Sequence, residues 1–117
     1  MPVRARAPLT MIQQMTVTEL QQRLQEPARD FVIIDVREPW EAEVCALPGA
    51  DLIPMGQIPG RVEEIDREQD VIVVCHHGIR SQQVAYYLQN VGFEKLFNLR
   101  GGIDAWAREI DPSMATY

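Results

Sequence analysis

VIVVCHHGIRSQQVAYYLQN, residues 71–90, carries the signal that decides the architecture. Val71 to Val74 form an apolar, β-branched run without alternation, the pattern of a strand covered on both faces in a parallel sheet. Val84, Leu88 and Val91 then recur on one helical stripe with Tyr87 beside them, and Gly92 is placed to close that helix. Between strand and helix lies CHHGIRS, residues 75–81, at the kind of junction where open α/β sheets collect ligands.

Outward from this unit the alternation repeats. FVIIDV, residues 31–36, is a second continuous apolar strand whose end turns polar. Upstream, Thr16 and Glu19 predict a capping box for a helix that carries Val17, Leu20 and Leu24 on one face, with Met15 as staple and Pro27 as stop. Pro39 is placed to open a short helix, Asp51 to Ile53 have strand character, and Pro59, Val62 and Ile65 suggest another amphipathic helix. KLFNL then predicts a strand, Gly101 and Gly102 a tight turn, and IDAWARE a last short helix. Strands alternating with helices predict an α/β fold with a central, mainly parallel sheet flanked by helices on both faces.

The chain has 117 residues, room for one domain, and its 46% hydrophobic and 24% charged content suits a single core. Residues 1–11 read as a flexible tail with nothing resembling a signal peptide, and residues 12–117 as the domain. A net charge of −6 repels phosphate backbones and anionic membrane surfaces, so neither nucleic acid nor a membrane is expected as partner. Two cysteines thirty positions apart are too few for a disulfide framework and suit reduced thiols in the cytoplasm.

Cys75 directly follows the buried strand and directly precedes the helix, with Gly78 in the loop and Arg80 at its far end. Backbone N–H groups of residues 76–81 can curl around the sulfur while the positive end of the helix dipole points at it, so an anion belongs there. Thiols so placed titrate well below the usual value of about 8.5, which predicts a substantial thiolate fraction at neutral pH. Gly78 can take a positive φ, Arg80 can face an anion or turn back to brace the loop, and Ser81 offers a hydroxyl at the helix start. The bland alternative is a small buried hydrophobe, the common fate of a free cysteine, which the combination of glycine, arginine and junction disfavours.

CHHGIRS resembles the active-site loop of single-domain rhodanese-family sulfurtransferases. IDVREPWE at 34–41, LPGA at 47–50 and NLRGGIDAW at 98–106 are similar to three further family signatures, and the match runs colinearly from about residue 12 to about residue 110. Cys45 and Ala46 stand where the family usually has Gly-His, and His76 and His77 where thiosulfate-specific members often have Lys or Arg. The resemblance implies a rhodanese-like fold and a catalytic Cys75 that takes a sulfane sulfur from thiosulfate or a related small donor. Cys75 would hold it as a persulfide and pass it to cyanide, a thiol or a protein thiol acceptor, with no cofactor. It places His76, His77, Gly78, Ile79, Arg80 and Ser81 at the substrate, with Asp35 and Arg37 in support. A persulfide-relay or partner-binding module with little free turnover is the alternative.

Phosphatases and arsenate reductases that use a cysteine, an amide cradle and an arginine have five residues between Cys and Arg, whereas His76, His77, Gly78 and Ile79 make four. The shorter ring leaves too little room for a tetrahedral phosphate. Asp35 and Arg37, at the end of the first buried strand, read as a bracing ion pair that fixes the loop, with Arg37 adding positive potential at its mouth as a second functional reading and a surface turn pair as the bland one. Zinc is not expected, because adjacent histidine side chains on a tight loop diverge and no further spaced ligands accompany them. Cys45 reads as a small turn residue rather than a resolving thiol, and Trp40 and Trp106 as covers of core edges.

Overall fold

The computed structural model describes residues 12–117; the tail expected at residues 1–11 lies outside the described residues. Five parallel strands form the sheet: β1 (Gln13–Met15), β2 (Phe31–Asp35), β3 (Ala50–Leu52), β4 (Asp70–Val74) and β5 (Leu96–Leu99). Their order is β1-β5-β4-β2-β3, which puts β4 in the middle. The helices are α1 (Val17–Gln25), α2 (Pro39–Val44), α3 (Ile58–Arg61), α4 (Ile79–Asn90) and α5 (Gly102–Glu109).

Period-two alternation sends successive strand residues to opposite faces. Ile34, Val71 and Val73 pack with Ile58 of α3 and with Val84 and Leu88 of α4. Ile33, Ile72 and Val74 pack with Val17 and Leu20 of α1 and with Ile103 and Trp106 of α5. The sheet is thus covered on both faces, and the unalternated apolar runs of β2 and β4 are accounted for.

Thr16 caps α1 in the expected box: its hydroxyl accepts from the Glu19 amide at 3.1 Å, and the Glu19 carboxylate accepts from the Thr16 amide at 2.8 Å. Two expectations are corrected and one unexpected strand is added. β1 is an edge strand of three residues, two of them exposed, too short and polar to announce itself. The helix expected across Pro59 to Ile65 is a four-residue α3, with Pro59 in its first turn, between two 3₁₀ turns, Met55–Gln57 and Val62–Glu64. Trp106 is buried, but Trp40 is 59% exposed and meets the Tyr117 ring edge-on instead of covering the core. No helix among the described residues is long and apolar enough to cross a membrane.

Candidate active site

Cys75 stands at the carboxyl end of the central strand, four residues before α4 begins. Gly78 precedes that helix with a φ of 104°, a left-handed conformation that favours glycine, and its N–H donates to Cys75 Sγ at 3.0 Å. The Ser81 hydroxyl lies 3.3 Å from the same sulfur. Among the amides of residues 76–81, Gly78's is the one that makes a hydrogen bond to the sulfur. Cys75 is 1% exposed; its sulfur forms the floor of the loop, not its surface.

The loop is fixed from behind and from below. Ser81 donates to Asn98 Oδ1 at 2.5 Å, and Asn98 Nδ2 donates to the Gly78 carbonyl at 3.3 Å and to Gln14 at 3.0 Å. At the start of α5 the amides of Ile103 and Asp104 donate to the carbonyls of Cys75 and His76 at 2.9 and 3.0 Å. Gly102 permits that approach: an added Cβ would collide with both carbonyl oxygens. The glycine pair makes the expected turn, both residues at positive φ, and Gly102 seats the loop as well.

Arg80 turns away from the sulfur to brace the loop. Its two terminal nitrogens each donate to one oxygen of Glu41 at 2.8 Å. That bidentate partner holds the Glu41 carboxyl at about 2, against the opposing effect of burial, and raises the guanidinium further. Glu41 also accepts from the Glu38 amide at 3.0 Å and from the Tyr117 hydroxyl at 2.8 Å. Burial pushes Tyr117 up to about 12, so it remains a phenol.

Asp35 and Arg37 are 2% and 0% exposed, which excludes a surface turn pair. The Arg37 guanidinium donates to Asp35 through Nε and Nη2, to Tyr117 and the Glu41 carbonyl through Nη1, and to the Cys45 carbonyl through Nη2. Every donor has a partner inside the protein, so Arg37 adds nothing to the mouth of the loop. Burial opposes its charge, but Asp35 and Tyr117 more than restore it.

The two histidines do not diverge. Their rings stack at 4.0 Å, and the Tyr117 ring stacks on the other side of His76 at 4.0 Å. Burial and the neighbouring His77 hold His76 below the ordinary imidazole value. Ligand atoms of His76, His77 and Asp104 come within 4.8 Å of one another. His77 Nε2 lies 3.9 Å from Asp104 Oδ2, and Asp104 also accepts from Arg108 at 3.0 Å. Ile79 points to solvent at 71% exposure. Cys45 lines a small recess with His76 and Tyr117, its carbonyl engaged by Arg37.

The fold thus brings Cys75, Gly78 and Ser81 to one point, sends Arg80 to Glu41, and sets Asp35 and Arg37 behind the loop. Asn98, Tyr117 and the anchoring role of Gly102 escaped sequence reasoning. A polar Asn98 in the otherwise apolar run of β5 was the available signal for one of them.

The rhodanese-like domain family model matches residues 16–109. A curated protein named a sulfurtransferase, from Allochromatium vinosum, is 39% identical over 105 residues, covering 90% of this chain and 97% of its own. A rhodanese-like/PpiC domain-containing chloroplastic protein of Arabidopsis thaliana is 38% identical over 112 residues, and the match spans 38% of its length. The crystal structure of a rhodanese-like domain protein from Staphylococcus aureus superimposes with a TM-score of 0.76 at 33% identity, covering 81% of this chain and 91% of the other. With a family match across most of the described residues, the same five-stranded parallel architecture and a near full-length sulfurtransferase relative, the chain belongs to the rhodanese-like domain family.

Proposed function

We propose that the protein moves a sulfane sulfur from thiosulfate or a related donor to a thiophilic acceptor through a persulfide on Cys75. The observation that carries this reading is the sulfur held between the Gly78 amide and the Ser81 hydroxyl at the start of α4. Deprotonated Cys75 attacks the outer sulfur of the donor; the new S–S bond forms as the old one breaks, and sulfite leaves with the electron pair. An acceptor thiolate or cyanide then attacks the outer sulfur of the persulfide, and Cys75 departs as thiolate. The Gly78 amide and the start of α4 stabilise the negative charge on sulfur in each state. His76, His77 and Ile79 form the rim that a donor passes, and Arg80 fixes the loop through Glu41. The cycle calls for no metal or organic cofactor, and it suits a reducing cytoplasmic setting.

Mass spectrometry after incubation with thiosulfate tests the reading. A gain of one sulfur on the Cys75 peptide is expected, lost in Cys75→Ser; a folded protein that gains none, or gains it elsewhere, refutes it. The rim favours a second reading, transfer to a partner protein with little free turnover: Trp40, Ile79 and Tyr86 are exposed large hydrophobics, of which Ile79 lies on the loop and Trp40 against Tyr117. Fast transfer to a protein thiol with slow thiocyanate formation distinguishes that reading.

A further inference from the structure

We infer that Asn98 is a positioning residue that governs the ionisation of Cys75 through the single proton of Ser81. The inference rests on the sulfur-transfer reading for its purpose but not for its test. The orientation of the Asn98 amide follows from its surroundings: the Gly78 carbonyl only accepts, so Nδ2 must face it and Oδ1 must face Ser81. Gln14 continues the chain, accepting from Asn98 Nδ2 and donating to Gln82 at 2.9 Å. Asn98 is 4% exposed, so Oδ1 has no ready substitute partner in water.

A hydroxyl has one proton. While Ser81 donates it to Asn98, the Ser81 oxygen presents only lone pairs to Cys75, 3.3 Å away, and the sulfur must be the donor. That arrangement fits a thiol. When the thiol proton passes to water, Ser81 has to turn its own proton onto the sulfur, and Asn98 Oδ1 is left buried without it. Asn98 therefore opposes the thiolate. In a persulfide the negative charge moves to the outer sulfur, Sγ no longer needs the hydroxyl, and Ser81 returns to Asn98. The amide thereby favours both states in which Sγ itself is uncharged.

The other groups facing this point from the surrounding elements are Arg80 with its partner Glu41 and the rings of His76 and His77. From α5 comes Asp104, from the end of β2 Asp35 with Arg37, and from the segment after α5 Tyr117. None of them bonds Asn98 or Ser81, so variants at Asn98 leave them in place.

The test is the pH profile of iodoacetamide alkylation, read on the Cys75 peptide. Asn98→Ala frees the Ser81 proton for the sulfur, and the midpoint is expected to fall by about one pH unit. Ser81→Ala removes the switch: its own midpoint rises, and adding Asn98→Ala to it changes nothing further. Asn98→Asp gives up the bonds to the Gly78 carbonyl and Gln14 but strengthens acceptance from Ser81 and raises the midpoint, by less in the Ser81→Ala background. It serves if the alanine variant does not fold. An unchanged or raised midpoint in folded Asn98→Ala, or shifts of equal size with and without Ser81, overturns the inference. Alkylation needs no sulfur donor, so this outcome is separate from loss of persulfide formation.

Discussion

Glu41→Gln isolates the brace that holds the loop. The wild-type carboxylate accepts four hydrogen bonds: two from Arg80, one from Tyr117 and one from the Glu38 amide. An amide of the same shape keeps one accepting oxygen and turns N–H groups toward the other donors. The folded carboxyl titrates at about 2 against an ordinary 4.5. That difference corresponds to about 3 kcal/mol, which screening at Arg80, 33% exposed, reduces to about 2 kcal/mol. Because the folded value is the lower one, the unfolded chain binds the extra proton, and the stabilisation is present above about pH 4.5 and lost as pH falls toward about 2. Urea unfolding followed by circular dichroism is the assay. At pH 7 the variant midpoint should lie about 1 to 2 M below wild type, a gap that shrinks to less than half by about pH 3. An equal gap at both pH values, or one under about 0.5 kcal/mol at pH 7, would refute the assigned charge pairing.

Asp35→Asn leaves the fully buried Arg37 charge without its anion and should cost about 3 to 5 kcal/mol in the same assay; a loss under about 1 kcal/mol would mean that Arg37 reaches water. Gly102→Ala drives a methyl group into the carbonyls of Cys75 and His76 at a backbone φ of 61°. A loss of about 2 to 4 kcal/mol is expected, with altered alkylation of Cys75, and a variant of wild-type stability would show that α5 does not seat the loop there.

The middle of the fold is plain in the sequence because burial on both faces leaves one kind of residue: Val71 to Val74 and Phe31 to Val36 have no polar face to disguise them. β1 is invisible for the opposite reason, since Gln13 and Gln14 are polar and exposed and the strand is held by its backbone pairing to β5. The broken helix around residue 60 misleads because Pro59, Val62 and Ile65 keep a helical spacing of side chains that the backbone bonds do not follow. At the site, Cys75, Gly78 and Ser81 are contiguous enough for local chemistry to predict their meeting. Glu41, Asn98 and Tyr117 reach the loop from three other elements, and no periodicity encodes a side-chain hydrogen bond across 17 to 80 positions. Arg80 illustrates the boundary: the residue was legible, whereas the choice between facing an anion and bracing the loop depended on where Glu41 lies.

That choice bears on the anion the loop can serve. An arginine that grips a phosphoryl group turns its paired donors inward as a bidentate fork. Here Nη1 and Nη2 are both taken by a carboxylate that Arg80 itself holds charged well below the ordinary carboxylate range, so the cation is neutralised before it can face the sulfur. What remains at Sγ is one amide, one hydroxyl whose proton is shared with Asn98, and the first turn of α4. That field suits a single negative charge spread over a large, polarisable sulfur, and it falls short of the converging donors that a compact phosphate dianion draws from its cradle. The four-residue spacing between Cys75 and Arg80 acts in the same direction, since a shorter arc has fewer amides to aim at a tetrahedral group above the sulfur. Loop length and ion-pair direction are separate features of the chain, and both favour sulfur over phosphorus.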